Sequence, residues 1–126
     1  MQTRTHNNIA RMFAGRNISA SEIRLMNNVI DNPSRYQKNM QNTYMFNAAN
    51  KYHNTFDVFG LGQRSPHRKY NHDMASASMA GYMTLGSKGM YLSQLHLVAD
   101  YWSDLLKKQY GVRGRDIWEA MFNYYF

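Results

Sequence analysis

Apolar residues recur along this chain at intervals of three and four, and no stretch alternates convincingly at the two-residue period of a half-buried strand. The clearest stripe lies between Tyr91 and Tyr110. Leu92, Leu95, Val98, Ala99, Trp102, Leu105 and Leu106 share one side of that helix, with Ser93, His96, Asp100, Ser103, Asp104 and Lys107 on the other. A shorter stripe of Ile23, Met26, Val29 and Ile30 follows Ser19-Ala20-Ser21-Glu22. That tetrad has the form of a capping box, in which the serine hydroxyl and the glutamate each satisfy the other residue's backbone N–H. Ile18 and Ile23 stand at the staple positions around it. Two independent signals therefore start this helix, and Pro33 stops it.

The remaining elements follow from the same pattern. Ile9, Met12 and Phe13 predict a first helix from about Thr5 to Ala14, ended by Gly15. Asn32-Pro33 predicts the start of a third, because proline is tolerated at the first helical position. Its apolar row, Tyr36, Met40, Tyr44, Ala48, Tyr52 and Phe56, keeps a spacing of four and so winds slowly round the axis. Residues 57–73 lose all period: Gly60, Gly62, Ser65 and Pro66 are mixed there with Arg64, His67, Arg68 and Lys69. Asp73 is placed to cap a short helix from Met74 to about Leu85. The small residues Ala75, Ser78, Ala80 and Gly81 permit close packing of that helix, which Gly86 and Gly89 close. Gly111 to Gly114 marks another turn, and Ile117 to Phe126 forms a last helix behind Asp116 and Glu119. The expectation is an all-α protein with a single helical domain over residues 1–126. It is a compact bundle of five or six short-to-medium helices with one long basic loop near residues 57–73.

Composition changes this picture in one respect. Ile, Leu, Val and Phe together are only 23 of the 126 residues, while Met and Tyr contribute 10 each and Trp 2. A folded chain of this kind is expected to build its core from Met and aromatic side chains, both of which are also enriched at protein interfaces. Cysteine is absent, which excludes disulfides, thiolate metal sites and a cysteine nucleophile. No apolar run reaches the length of a membrane span, and Met1 to Ala10 lacks the apolar stretch of a signal peptide.

Charge is unevenly spread. The net charge of +7 resides in the first two-thirds of the chain, since residues 89–126 carry four basic and four acidic side chains. Arg64, Arg68 and Lys69, with Arg11 and Arg16, are the candidate contacts to a nucleic-acid backbone. The connection Gly15-Arg16-Asn17-Ile18 has the length of a helix-turn-helix turn. Arg11 and Arg16 nevertheless fall where a small and an apolar residue should pack, which favours an ordinary helical hairpin.

Other candidate chemistry is weak. His96, Asp100 and Ser103 share a helix flank, but a nucleophilic triad needs an exposed serine beside an oxyanion hole, so the flank reads as a solvated face. His67, His72 and Asp73, with His53 or His96, lack the spacing of a zinc motif, and the basic neighbours oppose a cation. Gly60-Leu61-Gly62 opens like a dinucleotide fingerprint, but Ser65 stands where the third glycine belongs and no strand precedes it. No catalytic residue, metal ligand, cofactor or small-molecule substrate is expected, and no enzyme.

The last ten residues carry Trp118, Met121, Phe122, Tyr124, Tyr125 and Phe126. These rings must dock either on the chain's own Leu92–Leu106 stripe or on a partner. Trp118, Phe122, Tyr125 and Phe126 are the candidate docking residues. Richness in Asn, Gln, Met, Tyr, Ala and Ser without cysteine is similar to the composition of small bacteriophage proteins, including virion-internal and head–tail components. That resemblance implies a virion component or host-interacting factor, soluble in the host cytoplasm or the virion. The expected function is non-enzymatic assembly through a Met/aromatic surface, with a protein partner or a second copy. A nucleic-acid-binding protein of little sequence specificity is the alternative.

Overall fold

The computed structural model describes residues 1–41 and 71–126. Helix α1 spans Thr3–Phe13 and α2 spans Ala20–Asp31. The described part of α3 is Arg35–Gln41, and α4 spans Met74–Tyr125. Among the described residues there is no strand, so the all-α expectation holds. No helix among them is long and apolar enough to cross a membrane.

The expected five or six helices do not match the four found here, and the reason lies in α4. Its helical run is continuous, yet the backbone leaves helical geometry at Leu85–Gly86 and at Gly111. Both glycines take positive φ, 62° and 75°, a region that costs residues with a Cβ. The first kink folds the helix back on itself. Gly81 then lies against the Gly89 carbonyl, and Gln94 Nε2 donates to Ser78 Oγ at 3.0 Å. The glycines expected to end helices instead re-aim one. The third helix also starts later than expected. Ser34 and Gln37 form its reciprocal cap, leaving Pro33 before it; the rest of the expected third helix, to about Phe56, lies outside the described residues, as does most of the expected basic loop.

The Ser19/Glu22 capping box is present at both of its hydrogen bonds, 2.9 and 3.2 Å. Asp73 caps α4 through its Oδ2, which accepts from Ser76 N at 2.9 Å. Two apolar clusters hold α1 and α2 on α4. One joins Ala10, Ile23, Met26 and Leu92; the other joins Ile30, Ala77, Ala80 and Leu97. Among the described residues Met26 is the one buried methionine and no Phe, Tyr or Trp is buried; part of the Met and aromatic content expected in the core lies in residues 42–70, outside the described set. Met12 and Phe13, taken above as inward positions of α1, are exposed; Thr5, His6, Asn8 and Ile9 face inward instead.

Packing of α4 shows the same inversion. Ser93, His96 and Ser103 are buried with Leu92, Leu97, Ala99 and Leu106, whereas Val98, Trp102 and Leu105 are exposed. The flank read as solvated is the face turned into the protein. Pairs between α2 and α4 advance in step along both helices: Glu22 with Lys88, Asn27 with His96, Ile30 with Leu97. The two run side by side in the same direction, and their later turns meet at one polar cluster.

Candidate metal centre

Four segments bring five titratable side chains together. Asp31 ends α2, His6 projects from α1, and His96 and Asp100 lie one turn apart on α4. His72 comes from the turn before α4. That turn is anchored on both sides: Asp73 caps the helix, and Asn71 holds a φ of 67° while its Nδ2 donates to Val29 O at 3.1 Å. Asparagine is the non-glycine residue most at ease in this left-handed region. His72 is thereby fixed against the end of α2.

Two overlapping trios have donor atoms close enough to share an ion: Asp31, His72 and His96, and His6, His96 and Asp100. His72 Nε2 lies 3.3 Å from Asp31 Oδ1 and 3.5 Å from Asp100 Oδ2. His96 Nε2 lies 3.2 and 3.5 Å from the same two oxygens. Donor atoms bound to a single cation at about 2.0–2.2 Å stand about 3.0–3.4 Å apart at adjacent positions. His6 Nε2 approaches the other oxygen of Asp100 at 2.9 Å, and its ring stacks on His96 with centroids 3.8 Å apart. His6 therefore supports Asp100 from behind.

Proton placement decides what the cluster lacks. Asn27 Nδ2 donates to Asn7 Oδ1 at 2.7 Å, which turns the Asn27 oxygen toward His96 Nδ1 at 2.9 Å. Nδ1 must then carry the proton. Burial lowers the pKa of His96 despite the nearby carboxylates, so the ring stays neutral and Nε2 presents a lone pair. That atom is buried without a hydrogen-bond partner and faces two carboxylates. Burial opposes the charge on Asp31, but hydrogen bonding, first of all with His72, outweighs it and holds its pKa far below the usual range. Asp100 is likewise desolvated and likewise lowered, with His6 the chief cause. His96 belongs to two sets of closely spaced donors, with Asp31 and His72 on one side and with His6 and Asp100 on the other, and a divalent cation is a partner such a set can hold. Histidine fixed through Nδ1 by a carboxamide oxygen is the usual outer support of a metal ligand.

The cluster forms the floor of an open cleft of about 1050 Å³, whose walls include Asn7, Arg24, Asn28, Ser103, Lys107 and Arg115. Of the residues named from sequence, Arg64, Arg68 and Lys69 lie outside the described set. Arg11 is exposed beside a smaller groove between α1 and α2, its guanidinium 5.3 Å from the Phe126 ring. Arg16 is exposed in the connection after α1. The C-terminal aromatics do not dock on the Leu92–Leu106 stripe: Trp118, Tyr125 and Phe126 are exposed and Phe122 is half-buried. The end of α4 instead meets α1 through polar groups. Asn123 bonds both Asn8 and Thr5, at 2.9 and 3.0 Å, and Glu119 accepts from Gln2 N.

Compared with protein-family models, with curated proteins and with solved structures, the chain matches none. Any functional reading therefore rests on this geometry. His96 and Asp100, four apart on one helix face, were the visible trace of the centre. Nothing in the spacing of His6, Asp31 and His72 announces that the fold gathers them.

Proposed function

We propose that this protein is a divalent-metal-dependent hydrolase acting on an anionic substrate. One observation carries the reading: Asp31, His72 and His96 bring donor atoms together with ion-ligand spacing, and the buried His96 Nε2 among them has no hydrogen-bond partner. An imidazole–carboxylate donor set suits a hydrolytic ion, whereas structural zinc sites are typically closed and rich in cysteine. Asp31 keeps a third of its side chain accessible from the cleft, so substrate and water can reach the centre. A divalent ion held at that point acidifies water and polarises a substrate oxygen. Arg24, Lys107 and Arg115 around it favour an anion.

The test is metal content together with turnover. Chelator-treated protein is loaded with zinc or manganese, dialysed, and assayed for bound metal and for hydrolysis of bis-p-nitrophenyl phosphate. About one tightly held ion per chain with metal-dependent release of nitrophenol is the expected result. Asp31→Asn and His96→Gln should each lower metal affinity at least tenfold and abolish turnover, while Lys88→Ala, on the exposed pair with Glu22, should change neither. Failure of the folded wild type to retain any divalent metal would refute the reading.

A second reading has its own observation. Tyr124 and Tyr125 are 81% and 80% exposed and Trp118 is 45% exposed, a cluster of rings left open to solvent. A non-enzymatic assembly role, through a protein partner or a second copy docking on these rings, is the form this takes. Sedimentation of a Trp118→Ser/Tyr125→Ser variant against wild type separates it: loss of association supports assembly, and an unaltered monomer in both removes it.

A further inference from the structure

A second groove adjoins the cleft. The cleft above the metal centre and the smaller groove between α1 and α2, about 340 Å³, are neighbours that share Asn7 and Arg24 in their walls. Arg4, Arg11 and Arg24 line the far groove, and Lys107 and Arg115 line the opposite end of the cleft. Because α2 and the central part of α4 run in the same direction, these cations lie on opposite sides of the centre. Arg24 precedes Asp31 by seven residues and Lys107 follows Asp100 by seven, each about 10 Å along the helix axes. Asp104 is a further carboxylate of the cleft walls, against Arg24 and Lys107, while Arg115 there is paired with Asp116 and Glu119.

We infer that the substrate is a nucleic-acid strand, laid along the cleft and this groove with one phosphodiester over the metal centre. The inference rests on the hydrolase reading above. A mononucleotide carries its phosphates at one end and would need cations on one side only. A strand carries a phosphate at every nucleotide and meets cations before and after the scissile position. Phe126, exposed and under the Arg11 guanidinium, places a ring where a base can stack beside the same groove. In the reaction, a water oxygen bonds to phosphorus and the bond from phosphorus to one sugar oxygen breaks. One proton of the water ends on that oxygen and the other passes to solvent, leaving a terminal phosphate and a hydroxyl.

The experiment uses full-length, metal-loaded protein with labelled DNA and RNA 12-mers, nucleoside mono- and triphosphates, and bis-p-nitrophenyl phosphate. Strands should be cleaved with kcat/KM at least tenfold above the mononucleotides. An Arg4→Ala/Arg11→Ala/Arg24→Ala variant with wild-type circular dichroism should lose at least tenfold more activity on the strand than on the small diester. Binding of a 12-mer to the Asp31→Asn protein should weaken with salt, and the slope of log K against log salt should flatten by about 0.7 for each contact removed. Lys107→Ala tests the other end, with the same direction of effect. If the small diester is hydrolysed but strands are neither bound nor preferred over mononucleotides, the strand inference is wrong and the hydrolase stands. If metal is bound and nothing is hydrolysed, the hydrolase reading fails first.

Discussion

At the scale of single residues, the centre depends on His96 being neutral in the fold. Its folded pKa lies below that of the unfolded chain because burial penalises the charged ring. Protons therefore bind the unfolded chain first as the pH drops below about 6.5, and whatever stability His96 contributes is lost in that direction. Asp31 and Asp100 have the same sign at lower pH. Their folded pKa values are depressed, so their contribution is present above about pH 4 and disappears as the pH falls through the folded values. Urea unfolding of metal-free protein should show the stability gap between wild type and His96→Gln narrowing from pH 7.5 to pH 5. A gap that stays constant or widens would mean that the ring is charged in the fold.

At the scale of elements, the decisive contacts belong to glycine. A Cβ on Gly81 would collide with the Gly89 carbonyl, and one on Gly89 with Gly81. Backbone cannot yield there without opening the fold-back of α4. Gly81→Ala should cost at least about 1–3 kcal/mol, the usual penalty of forced overpacking. Gly15→Ala, where nothing lies within 4 Å, should be neutral or stabilise by about 0.4–1 kcal/mol through the unfolded chain. Equilibrium denaturation of the two variants compares them directly, and equal effects would contradict the close crossing. Much of this was legible in sequence. The caps at Ser19 and Asp73 and the small residues Ala75, Ala80 and Gly81 all fall where the pattern puts them. What the pattern mistook was direction on the helix between Gly86 and Gly111. Period alone assigns the apolar side to the interior, but here Trp102 and Leu105 face outward and His96, Asp100 and Ser103 inward. A buried polar face is energetically acceptable only when its groups find partners from distant parts of the chain. Asn27, Asp31 and His72 supply them, at separations no local signal can report.

At the scale of the whole molecule, the same cluster explains how so few aliphatic residues suffice. The two apolar clusters bury chiefly Ile, Leu and Ala, with one Met, and of the described Phe, Tyr and Trp rings only Tyr101 packs partly buried against them. What joins α1, the end of α2, the turn at His72 and the middle of α4 at their common end is the His/Asp cluster, not an apolar layer. His6, Asp31, His72 and His96 are far apart in sequence, so their donor atoms come together only in the folded chain. A cation that binds only the folded form should therefore act as a staple across four segments. At a free metal concentration of about one hundred times Kd the gain is about 2.7 kcal/mol, which raises Tm by several degrees in a chain of this size. Calorimetry of the chelated and metal-loaded protein measures it, with His72→Gln as the comparison. His72 belongs to the turn rather than to a helix, so its loss should remove the metal-dependent part of Tm and leave the metal-free Tm nearly unchanged. Equal shifts in wild type and variant would place the ion elsewhere, and no shift in either would mean that this centre does not hold the fold together.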